Sequence, residues 1–512
     1  MKKKLFRLKS FSLILLISAI LIPLAACDTF QELTTYSINV EISGLEEGAR
    51  DDLLLHYNGE IADQLNYNEG VFKIKLSNLR GSKEIEPNMS GEDFYPEKIK
   101  VNSNDNNKTI SFNATTEKIV SSNLQDRINE AGPGDTLIVQ AGSYPVHVSI
   151  PTPGLKFKAL EVVDDSSRIG GITISANDVT IKDFDFIAGG SLEIIDSKDI
   201  KILNNFIEEN SNAAIEIDNS TVLLKDNESI NNETAIKVKN NSNVEMIGNI
   251  IEADNKIGLD INNSKAHLSG NSFRNNDVGL SASESTLTLD DNSFRNNIVG
   301  IDIENGIETL ITNNRIEGNS TLGINIKRGE DAIIEDNNDI TNNNIGIFVE
   351  NNDANISENN IKFNTSEGIE VINNSHVNIN DNEIASNEYG IRVTDSVSNI
   401  QNNEISSNEK NIIIKNSKAE IKKNQIEANK NGILIFGENS VEDSKVNNNN
   451  FRFFSEKAII ASKELDSELD TEAKLDATNN YWGKDTATEI EALLIGEIIF
   501  EPFSQERLQL NK

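Results

Sequence analysis

Between Asn204 and Asn450 the apolar residues fall into brief runs of alternation that return about every 22 residues. One copy holds Gly258-Leu259-Asp260-Ile261, then Ala266-His267-Leu268, then Phe273. Another holds Gly390-Ile391-Arg392-Val393, and a third Ala419-Glu420-Ile421 followed by Ile426. Alternation with a period of two puts successive side chains on opposite faces, so each run predicts a short strand whose apolar residues turn inward. A helix would need apolar residues three and four apart over ten or more positions, and no copy offers them. Three short strands per copy at a fixed period predict a solenoid.

Two residue types mark the period. The glycines are Gly258, Gly279, Gly300, Gly323, Gly346, Gly368, Gly390 and Gly432, with Asn411 in the one gap. Because Asn tolerates left-handed backbone better than other side chains, that exchange predicts a left-handed position. The second series is Asn204, Asn227, Asn249, Asn271, Asn292, Asn314, Asn338, Asn359, Asn382, Asn403, Asn424 and Asn449. These predict equivalent corners of successive coils. Stacked in register, their amides can form a hydrogen-bonded ladder at a buried bend. Asparagine-rich disorder would not keep an apolar phase through twelve copies.

This pattern resembles the right-handed parallel β-helix family of the pectate-lyase-like and periplasmic repeat type, whose members include polysaccharide lyases, hydrolases and epimerases. The resemblance implies an all-β fold, a right-handed single-stranded parallel β-helix solenoid. A leucine-rich repeat has a similar period, but its Leu-x-x-Leu-x-Leu frame is not present in these copies. The ends match as well. Gly132-Pro133-Gly134-Asp135, Thr136 to Val139 and Gln140 to Pro145 resemble the opening phrase of extracytoplasmic β-helix proteins, and Asp476 to Gly483 resembles the aromatic closing phrase. Residues 119–154 are therefore expected to cap the first coil, with Ser121 and Ser122 starting a short helix whose Leu124, Ile128 and Ala131 share a face. Residues 155–483 are expected to form the β-helix, with Trp482 as a plug over its last coil, and residues 484–512 the C-terminal cap.

Ahead of the solenoid, residues 36–117 alternate in Tyr36 to Ile42, Val71 to Leu76 and Thr109 to Phe112, with a turn cluster at Asn104 to Lys108. This predicts a small β-sandwich preceding the β-helix. Its Pro87 to Pro96 stretch resembles fibronectin-like and carboxypeptidase-regulatory-like modules.

Residues 1–27 read as a lipoprotein signal peptide. Lys2, Lys3, Lys4, Arg7 and Lys9 precede an apolar run from Phe11 to Leu24 that ends in Leu24-Ala25-Ala26-Cys27. That ending resembles a bacterial lipobox, which implies cleavage before Cys27, lipid on its sulfur and a protein held to a membrane outside the cytoplasm. Cys27 is the sole cysteine, so no disulfide within the chain is available. Removing residues 1–26 takes five basic residues and no acidic one from a net charge of −35, which leaves −40. Such a surface repels phosphates and excludes nucleic acid as a partner.

The outward position after each glycine carries Glu216, Lys237, Asp260, Ser281, Asp302, Asn325, Phe348, Glu370 and Arg392. Two residues further along stand Glu304, Lys327 and Glu350. Asp302, Glu304, Lys327, Phe348, Glu350, Glu370 and Arg392 thus form one candidate patch for binding a polysaccharide or another envelope partner. Its carboxylates could also hold Ca²⁺ and its cations could serve a lyase. The hydrolase branch implied by the resemblance would add a Gly-His-Gly after a paired Asp; Asp290-Asp291 is present and the Gly-His-Gly is not. No phosphate loop, nucleophile elbow or Cys/His cluster occurs, and His267 and His376 are too far apart to share a metal, so no metal site is expected. Binding is the reading the residues favour, with a Ca-assisted lyase and a structural stalk as alternatives.

Overall fold

The computed structural model describes residues 35–509 apart from short segments at 46–48, 50–52, 58–59, 63–64, 69–70, 90–93, 96–97, 161–165, 428–429 and 463–473. The chain divides into two compact units, Met1–Thr115 and Thr116–Lys512.

In the first unit, Tyr36–Ser43 pairs antiparallel with Val71–Leu79 and parallel with Thr109–Ala114, within a sheet of five strands. A second sheet of four strands contains Leu54–Tyr57 and Lys83–Asn88. Ile38, Val40, Ile42, Phe72, Leu76 and Phe112 lie in one shared core between inward faces, which is why their strands alternate.

The second unit is a solenoid in which 44 strands join one continuous, parallel sheet. Each coil contributes three: Ile257–Asn262, Lys265–Ser269 and Ser272–Arg274 pair with Val278–Ser283, Thr286–Asp290 and Ser293–Arg295 of the next coil. The inward columns are nearly pure β-branched aliphatic. Leu280, Ile301, Ile324, Ile347, Ile369, Ile391, Ile412 and Ile433 follow one another in register, all without solvent contact. Each such burial is worth about 2 kcal/mol. Phe273 stacks on Phe294 with ring centroids 4.8 Å apart and planes within 4°.

The ladder starts earlier and runs later than the repeat predicts. Glu117–Val120, the end of the expected sandwich and start of the expected cap, already pairs in parallel with Thr136–Val139. The helix there is Leu124–Glu130; its first cap is Asn123 in left-handed backbone, without a side-chain bond, so Ser121 and Ser122 do not cap it. Leu124 and Ile128 are buried as expected. At the far end Leu494–Ile495 and Ile498–Ile499 add rungs to Ile459–Ser462 and Leu475–Asp476, so part of the expected C-terminal cap is coil. Trp482 is buried and lies flat on Phe451, ring centroids 4.7 Å apart, as a plug should.

The corners correct two expectations. The amide ladder exists, but its first rung is Asn205 and not Asn204. Asn205 Nδ2 donates to Asn227 Oδ1 at 3.0 Å, and the pattern continues coil by coil through Asn271, Asn292 and Asn314 to Asn449 and then Asn480. The left-handed residue is the one before each rung: Asn204, Asp226, Gly248, Gly270, Asp291 and Asn313 have φ between 53° and 67°. Turning the chain there frees the following Asn to point inward. The repeat glycines are needed for a different reason, since neither they nor Asn411 have positive φ. A Cβ on Gly300 would stand 2.6 Å from the carbonyl oxygen of Gly323, and one on Gly323 equally close to that of Gly346. At these glycines adjacent coils approach so closely that a side chain would force them to shift, although Ala214, Ala235 and Asn411 are accommodated in the same column.

Two more ladders line the other corners. Asn210, Asn232, Asn255, Asn276, Asn297, Asn319, Asn343, Asn364, Asn387 and Asn408 are linked side-chain amide to side-chain amide, except that Asn276 reaches Asn297 Oδ1 through its backbone N–H, and Asn408 ends on Asn411 at 3.0 Å. Serine hydroxyls accept from the backbone of the preceding coil in the series Ser197, Ser220, Ser242, Ser264 and Ser285, and again from Asn352 through Ser375, Ser396 and Ser417. Most polar groups at the buried bends are thereby paired at all three edges; Asn352 Oδ1 is a buried exception.

Candidate functional site

The outward face of the first strand stack follows from the register. Glu216, Lys237, Asp260, Ser281, Asp302, Asn325, Phe348, Glu370 and Arg392 are successive partners, one per coil, at about 4.8 Å spacing. Glu304, Lys327 and Glu350 form a parallel column two residues along.

Within this face the seven patch residues form two groups. In the first, Asp302 accepts from Asn325 Nδ2 at 2.6 Å, Glu304 is paired with Arg328, and Lys327 Nζ lies 5.7 Å from the centre of the Phe348 ring. Glu350 accepts from Asn373 Nδ2 at 2.8 Å. The second group centres on Arg392. Its guanidinium is 3.0 Å from Glu367 and 4.0 Å from Glu370, and lies over the ring of Tyr389 at 4.2 Å, with Lys410 Nζ 5.0 Å from the same ring.

Glu367, Tyr389 and Lys410 were not among the expected residues. They occupy the column before the glycine, three residues ahead of the outward one, where strict alternation points inward; alternation breaks at the glycine, with Gly390 and Ile391 both buried, so a period-two pattern gave no signal for them. In earlier coils the same column is Ile257, Val278, Val299, Leu322 and Ile345, all half-buried. An aliphatic stripe thus changes to a charged and aromatic cluster within one coil. The serine ladder is also interrupted between Ser285 and Asn352, where Gly306 and Gly329 stand at the corner beside Glu304 and Lys327.

Burial raises the pKa of Glu370, neighbouring Glu367 raises it further, and Arg392 opposes both. Asp260 is raised by burial against a smaller opposing pull from Lys237. The face therefore holds two carboxyls predisposed to take a proton, Asp260 near Lys237 and Glu370 near Arg392. Among the described residues, no group of three or more His, Cys, Asp or Glu side chains is placed to hold a metal ion. Cys27 and the rest of residues 1–27 lie outside the described residues.

A family profile described as "Right handed beta helix region" matches residues 161–297, 258–401 and 336–464, together more than half of the chain. The chain belongs to the right-handed β-helix family. No curated protein sequence matches this β-helix chain. Among solved structures, PfbA, a surface adhesin of Streptococcus pneumoniae, is 15% identical, with 68% of this chain and 92% of that chain covered and a TM-score of 0.32. Pectate lyase Pel9A is 11% identical over 55% of this β-helix chain and 78% of its own, TM-score 0.33. A PL6 alginate lyase in complex with a trisaccharide is 11% identical over 76% and 97%, TM-score 0.27.

Proposed function

We propose that this β-helix is an extracytoplasmic glycan-binding protein, anchored to a bacterial membrane by lipid on Cys27, that receives a polysaccharide along its first strand stack. The observation that carries the reading is the pair of outward rings, Phe348 and Tyr389, each attended by a cation, two coils apart and three residues apart along the strand, about 14 Å in all. Rings offer a flat surface for the apolar face of a sugar, and Glu350, Glu370 and Arg392 around them can bond its hydroxyls. The lipobox-like Leu24-Ala25-Ala26-Cys27 supports lipid as the attachment.

Glu370 favours a second reading, a lyase or related carbohydrate-modifying enzyme. A carboxyl with a raised pKa beside Arg392 could exchange a proton with a bound sugar while the guanidinium holds an anionic group. One experiment separates the readings. The full chain in detergent is probed on a glycan array and then assayed for unsaturated and reducing-end products, with and without Ca²⁺. Binding of an anionic glycan that Phe348→Ala and Arg392→Ala abolish, with no product formed, supports the adhesive reading. Product formation lost in Glu370→Gln supports the enzyme. Silence in both assays rejects both and leaves the stalk. Lipidation is tested by Cys27→Ser, which should release the protein from the membrane fraction.

A further inference from the structure

A second surface stands apart from the strand face, at the corner that follows the third strand. Coils turn this corner in left-handed backbone with Asn231, Asn275, Asn296, Gly318 and Asn342, which suit it, and also with the smaller or flexible Glu209, Ala253, Ser386 and Ser407. Two coils use phenylalanine instead. Phe363 has φ 58° and Phe453 φ 59°, and their side chains are 57% and 70% exposed. A bulky residue is disfavoured in this conformation, and an exposed ring gains nothing from burial. Strain maintained in a residue that adds nothing to the core is a signature of function.

The rings belong to one row. The residues immediately before them are in register through Lys362, Ala385, Ser406, Glu427 and Arg452, four coil steps or about 19 Å. Beginning at Phe363 a groove of about 650 Å³ runs over Ser386 and Ser407, with Thr365, Glu388, Glu409 and Lys430 along its side. The small serines keep the floor low. Arg452 is stacked on the Phe453 ring at 4.5 Å, which holds that ring and covers one of its faces.

We propose that this corner groove is a binding site for a neutral oligosaccharide, with Phe363 as the stacking platform at its end and Phe453, outside the groove's lining, further along the same row. Isolated rings separated by hydroxyls and carboxylates match a ligand whose residues have an apolar face and polar edges. They would make a poor protein interface, which clusters its apolar groups. Glu388 and Glu409 line the groove, and Lys430 is paired with Glu409, so an anionic sugar is repelled. The inference deepens the glycan-binding reading but needs none of the strand-face residues.

The test is calorimetric titration of the full chain in detergent with neutral oligosaccharides of the cello-, manno-, xylo- and chito- series. The variants are Phe363→Asn, Phe453→Asn and, on the strand face, Arg392→Ala. Asn is the residue other coils use at this corner, so Phe363→Asn should melt at a higher temperature while its affinity falls about twofold to tenfold. Arg392→Ala should leave that affinity unchanged, which separates this site from the strand face. Unchanged affinity in Phe363→Asn overturns the inference, as does the absence of heat with every series. Concentration-dependent self-association that Phe363→Asn abolishes would also overturn it, by making the corner a contact between copies.

Discussion

Asn292 shows how much one residue can do at a buried bend. Its Oδ1 accepts from both Asn271 N and Asn271 Nδ2 at 2.9 Å, while its own Nδ2 donates to Leu268 O at 2.9 Å and to Asn314 Oδ1 at 3.1 Å. Alanine there would leave donors and acceptors on both neighbouring coils without partners and without water. Asn292→Ala should therefore cost about 3 kcal/mol, read from urea unfolding, whereas Asn204→Ala on the exposed side of the first corner should cost under about 1 kcal/mol. Glu370 is a residue-scale case with a pH signature. A carboxyl whose folded pKa is raised takes up a proton more readily in the native state, so stability falls as pH rises through the interval between the unfolded and folded values. Glu370→Gln should consequently melt higher than the parent near pH 7, and the gap should close below about pH 4, where both forms are neutral.

For a single strand, what matters is the approach of its neighbours. Leu322–Glu335 lies between Val299–Glu304 and Ile345–Ser357 with a backbone contact at Gly323 that leaves no room for a methyl group. Gly323→Ala should force the two coils apart and destabilise the protein by about 2 kcal/mol, with faster amide exchange confined to these three strands. The strand pattern itself was plain in the sequence. Alternation fixes which face a residue takes, and the outward columns from Glu216 to Arg392 stand in the order that spacing predicts. The reason for the glycines was not plain, because a left-handed turn and a close backbone contact both select glycine, and only the coordinates distinguish them.

The whole molecule behaves as a stack in which each coil contacts only the coils on either side. Deleting residues 278–298 removes one complete coil and brings Val299 into the place of Val278, against Ile257. The shortened chain should fold, keep its β-sheet circular dichroism and unfold with a smaller denaturant slope. Deleting the N-terminal Leu124–Glu130 helix should instead expose the first coil and cause aggregation, seen by light scattering. The Arg392 cluster also belongs to this scale. Glu367, Glu370, Tyr389, Arg392 and Lys410 come from three coils, and their meeting depends on two outward columns aligning across those coils.

Period, strand phase, inward columns and the outward order of the candidate patch are properties of neighbouring residues in an extended chain, and the sequence alone determined them. Which asparagine forms a rung, Asn205 or Asn204, was decided by one left-handed residue that turns the next side chain inward. The second amide ladder and the serine ladder join residues more than twenty apart, in a chain where many other asparagines and serines are exposed. Only the stacking of coils selects the buried ones, because a polar group becomes a rung when the coil above it supplies its partner and excludes water.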